Sequence, residues 1–349
     1  MTHALVTGGN GYFGSVLVER LVAAGDEVRV LDIDPTGTQP DGVDVVVADI
    51  RDARAVRAAV DGIDVVYHNV AQVPLAKDPA LLRTVNVDGT EVLLEACRAA
   101  GAGKVVHTSS SAVFGIPESN PVMPDTVPKP QEPYGAAKLA AEWACLRAAS
   151  LGLDVTIVRP RTILGHGRLG IFGILFDWIA DGADPFVLGD GSNRYQFVHA
   201  DDLAELCRAA GAAPGPAIFN AGTDRFGTMR EALEHVCAHA GTGSRVRSLP
   251  ARPAALAMQA TARLGLTPFA AYHWLMYSRS MWFDIEHATE RLGWRPTWSN
   301  DDMFAQSYDW FVANRELATS GASGSHHRRS AGSRLLSVLK WAATRPRVT

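Results

Sequence analysis

Apolar and polar positions alternate in blocks along the first 160 residues of the chain. The apolar run "HALV" at 3–6 precedes a glycine-rich turn, which is followed by "SVLVERLVAAG" at 15–25 and by a second apolar run, "EVRVLDID", at 27–34. Short apolar runs predict strands, and the spacing of apolar residues in the middle segment predicts a helix. The order strand, turn, helix, strand is the beginning of a parallel βαβ unit.

The alternation continues to about Pro160. We predict further strands at "VVVAD", "DVVYHNVA", "GKVVHTSSS" and "DVTIVRP", and helices at "LLRTVNVDGTEVLLEACRAAG" and "YGAAKLAAEWACLRAASLG". Six prolines between 117 and 133 predict a loop before the second of these helices. The fold class is therefore α/β: a Rossmann-type, doubly wound parallel sheet, which binds ligands at the carboxyl ends of its strands.

The stretch "VTGGNGYFGS" at 6–15 indicates what such a ligand is. Its glycines are Gly8, Gly9, Gly11 and Gly14. Glycine permits a tight turn and a close approach, and the helix that follows offers N–H groups to a phosphate. Asp32 lies 18 residues after Gly14, where an acid accepts hydrogen bonds from an adenosine ribose and repels a 2′-phosphate. The pattern favours NAD over NADP. A ligand-free turn and a solvated Asp32 are the alternative, and Asp34 is a competing acid.

Composition narrows the functional classes. The chain has 349 residues, a formal net charge of −4 and 47 % hydrophobic residues, which is typical of a globular protein and does not favour nucleic-acid binding. No apolar run approaches the ~20 residues that cross a bilayer, and the N-terminus does not resemble a signal peptide. The four cysteines form no redox or metal motif, so we expect reduced thiols in a cytoplasmic protein. His235, Cys237 and His239 have helical spacing but no evident further ligand, and we predict no metal site.

Two short segments carry candidate chemistry. "YGAAK" places Tyr134 and Lys138 on one face of a helix, and "SSSAVFG" places Ser110 and Ser111 at the end of a strand. A phenol titrates near ~10, and a neighbouring ammonium favours its ionised form. Tyr134 can then accept the proton of a secondary alcohol whose oxygen Ser110 holds. An incidental Tyr–Lys helix pair is the alternative interpretation.

Together these motifs resemble the extended short-chain dehydrogenase/reductase family, the NAD-dependent epimerase/dehydratases. The likeness runs from about Ala4 to Arg315 and includes "TGGNGYFG", "HNVA", "VNVDGT", "SSSAVFG", "YGAAK", "RP", "FVHADDLA" and "NAG". The resemblance implies NAD as cofactor, a homodimer, and the catalytic residues Ser110, Tyr134 and Lys138, with Asn86 supporting the lysine. The NAD contacts that it implies are Gly8, Asn10, Gly11, Tyr12, Phe13, Gly14, Asp32, Asp49, Ile50, Asn69, Ala71, Thr108, Tyr134, Lys138 and Pro160.

Departures from the family's motifs bear on the substrate. Family members that remove water resemble "TDEVYG", whereas this chain has Ser110, Ser111 and Ala112 there, so dehydration is disfavoured. Sugar-nucleotide members often have "RPxNVYG", and this chain has "RPRTILG". The resemblance implies substrate contacts at Ser111, Thr162 and Arg194, the last on a diphosphate, with Arg279 as the nearest candidate for a second arginine.

Three functions stay open at this stage. The first is an NAD-dependent oxidoreductase or epimerase that acts on the secondary alcohol of a small molecule, with a nucleotide-sugar epimerase as the leading prediction. The second is a dehydrogenase similar to the 3β-hydroxysteroid branch, acting on a hydrophobic alcohol, because "LGLTPFAAYHWLMYSRSMWFD" at 264–284 is strongly apolar. The third is an inactive protein that senses NAD.

The same pattern predicts three regions. We expect an NAD-binding domain over 1–165, to which strands near 197 and 218 return, and a smaller, mostly helical, substrate-binding region over 166–317. A flexible basic tail over 318–349 follows, because the composition turns to Ser, Gly, His and Arg. Its segment "SRLLSVLKWAATR" is amphipathic and basic, which suggests a weak contact with an anionic membrane surface. A solvated or oligomer-packing tail is the favoured alternative.

Overall fold

The computed structural model describes residues 1–72, 78–169, 171–264, 266–267 and 276–319. The chain divides into two compact units. Unit 1 contains residues 1–162, 200–222 and 283–297, and unit 2 contains residues 163–199, 223–282 and those from 298 onward.

Eleven strands are present in the described ranges. They are β1 (His3–Thr7), β2 (Glu27–Asp32), β3 (Asp44–Val47), β4 (Val65–His68), β5 (Lys104–Thr108), β6 (Val155–Pro160), β7 (Thr162–Leu164), β8 (Phe186–Leu188), β9 (Phe197–His199), β10 (Ala217–Ala221) and β11 (Arg247–Leu249). Seven of them form the sheet of unit 1 in the order β3-β2-β1-β4-β5-β6-β10. Every pairing in this sheet is parallel, so all seven carboxyl ends lie along one edge. This confirms the predicted Rossmann-type sheet.

Helices connect and flank the strands. They are α1 (Tyr12–Ala23), α2 (Ala53–Val60), α3 (Pro79–Arg83), α4 (Gly89–Ala100), α5 (Pro133–Ser150), α6 (Phe172–Ala180), α7 (Ala200–Ala212), α8 (Met229–Ala240), α9 (Ala251–Arg263), α10 (Glu286–Leu292), α11 (Asn300–Ala313) and α12 (Arg315–Thr319). None of the described helices is long and apolar enough to span a bilayer. Cys97, Cys145, Cys207 and Cys237 are buried and unpaired, as the sequence predicts.

The single helix predicted from Leu81 to Gly101 is wrong in detail. A π-helical turn, Thr84–Asp88, separates α3 from α4. The turn ends where the N–H of Gly89 bonds to the carbonyl of Thr84, and a Cβ at Gly89 would overlap the side chain of Ile50. A wider turn of this kind is frequent at functional sites, and this one contains Asn86.

The predicted boundary between the first two regions also needs correction. Strand β10 does join the large sheet, but the strand near 197 does not, because β9 pairs with β7 in a separate two-stranded sheet. Residues 283–297, which the sequence places in the substrate-binding region, belong to unit 1. They are held there by Asp202 of α7, whose carbonyl accepts from Trp294 Nε1 at 2.9 Å and whose carboxylate accepts from the N–H of Thr297 at 3.0 Å.

Unit 2 has its own aromatic core. Its rings pack edge to face, with Phe172 and Phe197 both against Phe304. Ala318, which the sequence assigns to the tail, belongs to this core with 2 % exposure, because α12 is anchored by Arg315 to Asp181 at 2.9 Å. The predicted tail therefore begins too early, and its remainder from residue 320 lies outside the described residues.

Candidate active site

The carboxyl-end edge of the unit 1 sheet collects most of the predicted site residues. The glycine loop follows β1, Asp32 ends β2, Asp49 and Ile50 follow β3, Asn69 and Ala71 follow β4, Thr108 ends β5 with Ser110 just beyond it, and Pro160 ends β6. The parallel arrangement alone places them on one edge, since each lies at or just after the end of its strand.

The glycine loop is a close turn between β1 and α1. Gly8 has φ +75°, and its N–H donates to the carbonyl of Leu31 at 2.8 Å. A Cβ at Gly14 would overlap the carbonyl oxygen of Gly8, so the loop tolerates no side chain there. Helix α1 begins after Gly11, a residue with no side chain to cap it. An uncapped helix start at a glycine turn suits a phosphate.

Asp32 rather than Asp34 lies against this loop. The Asp32 side chain is only 8 % exposed and accepts from the N–H of Asn10 at 2.9 Å. The Asp34 carboxylate instead closes a local turn on Thr36, and the hydrogen bonds from Thr36 hold the pKa of Asp34 below its ordinary value. Of the two competing acids, Asp32 has the position expected for a ribose contact.

Asp49 and Asn69 differ in whether their polar side-chain atoms have hydrogen-bond partners within the protein. The Asp49 carboxylate pairs with Arg51 at 2.5 Å, and this contact lowers the pKa of Asp49. Asn69 Oδ1 accepts from Thr108 Oγ1 at 2.6 Å, whereas its buried Nδ2 has no hydrogen-bond partner among the described residues. A buried donor without a partner is rare in folded proteins. Its place beside the glycine loop fits a polar group of a dinucleotide.

A chain of hydrogen bonds links the glycine loop to the π-helical turn. Burial lowers the pKa of His68 to about 3, so its ring is neutral. Thr90 Oγ1 donates to the carbonyl of Asn86 at 2.7 Å and therefore accepts from His68 Nε2 at 2.9 Å. His68 Nδ1 then accepts from Thr7 Oγ1 at 2.7 Å. The neutral ring holds the ends of β1 and β4 in register with the turn.

The side-chain amide of Asn86 is fixed by the backbone of Gln72. Its Oδ1 accepts from the N–H of Gln72 at 2.7 Å, and its Nδ2 donates to the carbonyl of Gln72 at 3.0 Å. Both atoms of the amide thus fix the backbone after β4. The direct hydrogen bond of Lys138 is to β5, since its Nζ donates to the carbonyl of Thr108 at 2.8 Å, and support of the lysine by Asn86 stays a prediction.

Tyr134 and Lys138 occupy the first two turns of α5. Glu132 caps this helix by accepting from the N–H groups of Tyr134 and Gly135 at 2.8 and 2.5 Å. A Cβ at Gly135 would overlap the carbonyl of Ala112, so this glycine lets α5 pack directly on the 3-10 turn that follows Ser110. The close packing brings the tyrosine's helix to the serine's turn. Burial lowers the pKa of Lys138 to about 8.

A buried ion pair that we did not predict connects the same elements. Glu142 lies one turn beyond Lys138 and pairs with Arg159 at 2.7 Å, with side-chain exposures of 1 and 4 %. Glu142 also accepts from Ser109 Oγ at 2.5 Å, and the Arg159 guanidinium lies 5.0 Å from the ring of Phe114. The pair thereby ties α5 and β6 to the segment that carries Ser110. The spacing of Tyr134, Lys138 and Glu142 along one helix face was the sequence signal for it.

The predicted substrate residues are divided between the units. Ser111, which is buried, and Thr162 belong to unit 1, and Arg194 and Arg279 belong to unit 2. The latter two lie on adjacent segments, since the N–H of Met281 donates to the carbonyl of Arg194 at 3.0 Å.

Aromatic rings surround the Arg194 side chain in unit 2. Its guanidinium lies 4.8 Å from the ring centres of both Phe226 and Trp282. Neither Phe226 nor Trp282 is among the site residues predicted from the sequence. Cation–π contacts of this kind hold a guanidinium in place while its N–H groups stay available to an anion.

Comparisons with known proteins show which sequences and structures this chain resembles. Residues 4–222 match the family model described as the NAD dependent epimerase/dehydratase family. The uncharacterized protein y4nG of Sinorhizobium fredii is 50 % identical over 97 % of this chain and 86 % of its own. A UDP-glucose 4-epimerase of Mycolicibacterium smegmatis is 32 % identical over 88 % of this chain and 97 % of its own. The Thermus thermophilus UDP-glucose 4-epimerase, solved with NAD, superposes with a TM-score of 0.72 at 29 % identity, covering 92 % of this chain and 100 % of that one.

Proposed function

This chain belongs to the NAD-dependent epimerase/dehydratase family, and from that premise we propose that it is a nucleotide-sugar epimerase that uses Tyr134 as its proton acceptor. The observation that carries the proposal is the juxtaposition of α5 with the Ser110 turn, through Gly135, at the edge where the glycine loop lies. The similarity to UDP-glucose 4-epimerases over nearly the whole chain supports the same reaction class.

The cofactor site is the glycine loop with the strand ends beside it. NAD, the family's cofactor, supplies a group that takes up a hydride from the substrate and returns it. The loop and the start of α1 hold its diphosphate, Asp32 accepts from a ribose hydroxyl, and Asn69 Nδ2 donates to a polar group of the ligand. The uncompensated Nδ2 and the absence of space for side chains in the loop support this placement.

Proton movement falls to three side chains of unit 1. Tyr134 Oη accepts the proton of the substrate hydroxyl, and Ser110 Oγ holds the same oxygen. Lys138, charged below its pKa of about 8, stabilises the phenolate electrostatically. General acid–base groups of this kind contribute about 10²–10⁴-fold to a rate.

The nucleotide part of the substrate is assigned to Arg194. Its side chain is exposed, and the two flanking rings restrict its motion, which favours a diphosphate contact. A hydrophobic alcohol, oxidised without return of the hydride, is the second candidate. It is favoured by the apolar composition of 264–283, which contains no Asp or Glu.

One assay separates these functions. The NAD-loaded protein is incubated with UDP-glucose and UDP-galactose, sugar products are resolved by chromatography, and absorbance at 340 nm is followed. Interconversion without accumulating NADH supports the epimerase, and stoichiometric NADH with a hydrophobic alcohol supports the dehydrogenase. Tyr134→Phe should reduce turnover by ~10²-fold or more while NAD binding persists. Full activity of this variant would show that the proton acceptor lies elsewhere.

A second comparison tests the substrate contact. Arg194→Ala should raise the KM for a UDP-sugar at least tenfold, on the scale of ~1.4 kcal/mol for one lost charge-assisted hydrogen bond, and leave the Kd for NAD unchanged. Arg225→Ala is the matched control, because Arg225 is an exposed arginine close in sequence to Phe226 that pairs with Asp224. An equal change of KM in both variants would contradict the assignment.

A further inference from the structure

Helix α9 in unit 2 has an unusual outward face. None of its thirteen residues is buried, and Leu256 and Leu264, the latter at its C-terminal end, are 65 and 73 % exposed. The exposed positions all lie on one side of the helix, and they are Arg252, Pro253, Leu256, Ala257, Ala260, Arg263 and Leu264. A helix on the surface of a globular protein normally turns charged and polar residues to water. Here the outward side is apolar and is bordered by two arginines.

Along the chain, the segment that contains this helix has charges of one sign. From His235 to Phe283 the chain has five arginines and no Asp or Glu. Within the described ranges, Arg252 and Arg263 form no ion pair, whereas Arg247 pairs with Asp184 at 2.8 Å. An apolar surface with unneutralised arginines on its border matches the pattern of helices that lie on anionic membrane surfaces.

The C-terminal segment of this chain and a second copy of the chain are poor partners for the positive charge of this face. The segment of this chain beyond residue 320 has six Lys and Arg residues and no acid, so its charge has the same sign as that of Arg252 and Arg263. A second copy that docks the same face symmetrically brings identical arginines towards each other. We propose that α9 is a membrane-surface contact, which places Leu256 and Leu264 among lipid chains and Arg252 and Arg263 against anionic headgroups.

The test is co-sedimentation of the full-length protein with vesicles. Phosphatidylcholine vesicles with one quarter phosphatidylserine are compared with phosphatidylcholine alone. We expect binding to the anionic vesicles, weakened by salt, and a loss of about tenfold in partition constant for Leu256→Glu/Leu264→Glu, on the scale of one lost apolar contact per residue. Leu151→Glu is the matched control, since Leu151 is a 69 % exposed leucine in unit 1, and it should bind as the wild type does.

Several results would overturn the proposal. Absence of wild-type binding, equal binding to both vesicle types, or unchanged binding of the double variant would each do so. A melting temperature equal to that of the wild type shows that the double variant is folded. If light scattering shows that the double substitution dissociates an oligomer without changing vesicle binding, the face joins copies of the protein instead.

Discussion

Replacing Glu142 with Gln should destabilise unit 1 far more than any exposed ion pair can. The substitution keeps the side-chain volume but removes the charge that neutralises Arg159, which is 4 % exposed. Arg159 then stays buried with its bonds to Pro124 and the ring of Phe114 as its main compensation. Because a buried charge that loses its partner is strongly unfavourable, we expect a loss of about 3–5 kcal/mol in the free energy of unfolding.

The same helix provides the control. Arg147 on α5 pairs with Glu91 on α4 at 2.7 Å, but the two side chains are 63 and 49 % exposed. An exposed pair contributes about 0–1 kcal/mol, so Glu91→Gln should change the unfolding midpoint little. Urea unfolding, followed by tryptophan fluorescence without added NAD, measures both variants. Equal midpoint shifts for the two would refute the argument that burial sets the strength of the Glu142–Arg159 pair.

A pH profile of activity distinguishes an effect of Glu142 on Lys138 from an effect of Glu142 on stability alone. Burial depresses the pKa of Lys138 to about 8, and the Glu142 carboxylate raises it against that trend. Activity should fall as the pH rises through about 8, because neutral Lys138 no longer stabilises the phenolate. Glu142→Gln should move this alkaline limb to lower pH, because the negative charge that stabilises the ammonium form of Lys138 is gone. An unmoved limb would show that Glu142 does not act on the lysine.

Further outcomes follow from the same contacts. Asp32→Asn, which keeps an acceptor oxygen and removes the charge, should reduce the preference for NAD over NADP, measured by titration of both. Gly135→Ala should lower kcat by ~10-fold or more through its overlap with Ala112, on the scale of small misplacements of catalytic groups, with little change in NAD affinity. Because burial lowers the pKa of Lys138, the folded state loses this proton at a lower pH than the unfolded state does. The free energy of unfolding should therefore rise, by up to ~3 kcal/mol, between pH 8 and 10.5, and Lys138→Met should remove this rise. Deleting 320–349 should leave NAD binding and turnover intact.

Most of unit 1 could be predicted from local patterns in the sequence. The glycine turn, Asp32 at the end of β2, and the Tyr134–Lys138 pair each depend on residues near one another along the chain, and the structure places them as expected at one sheet edge. A parallel sheet converts that local order into spatial proximity, because successive strands all end on the same side.

The missed features depend on contacts between distant residues. Segment 283–297 belongs to unit 1 through Asp202, some 95 positions away from Thr297, and no periodicity reports such a bond. The π-helical turn that directs the Asn86 amide to Gln72 interrupts what the sequence pattern predicts as one continuous helix. The rings around Arg194 come from segments that are 56 residues apart at Phe226 and Trp282.

The hydrogen bonds and ion pairs that carboxylates near the candidate site already form bear on which reaction of the family this chain performs. Removing water from a sugar needs an acid and a base that are free to exchange protons with the substrate. Near Tyr134, Glu132 uses both oxygens on the start of α5, and Glu142 is bound to Arg159 and Ser109. Asp49 is likewise bound to Arg51. Where a dehydratase places its acids, this chain has Ser111 and Ala112, both buried. Under the proposed function, Ser110 and Tyr134 move one proton on one oxygen, which oxidation and its reversal require, and we expect no elimination of water.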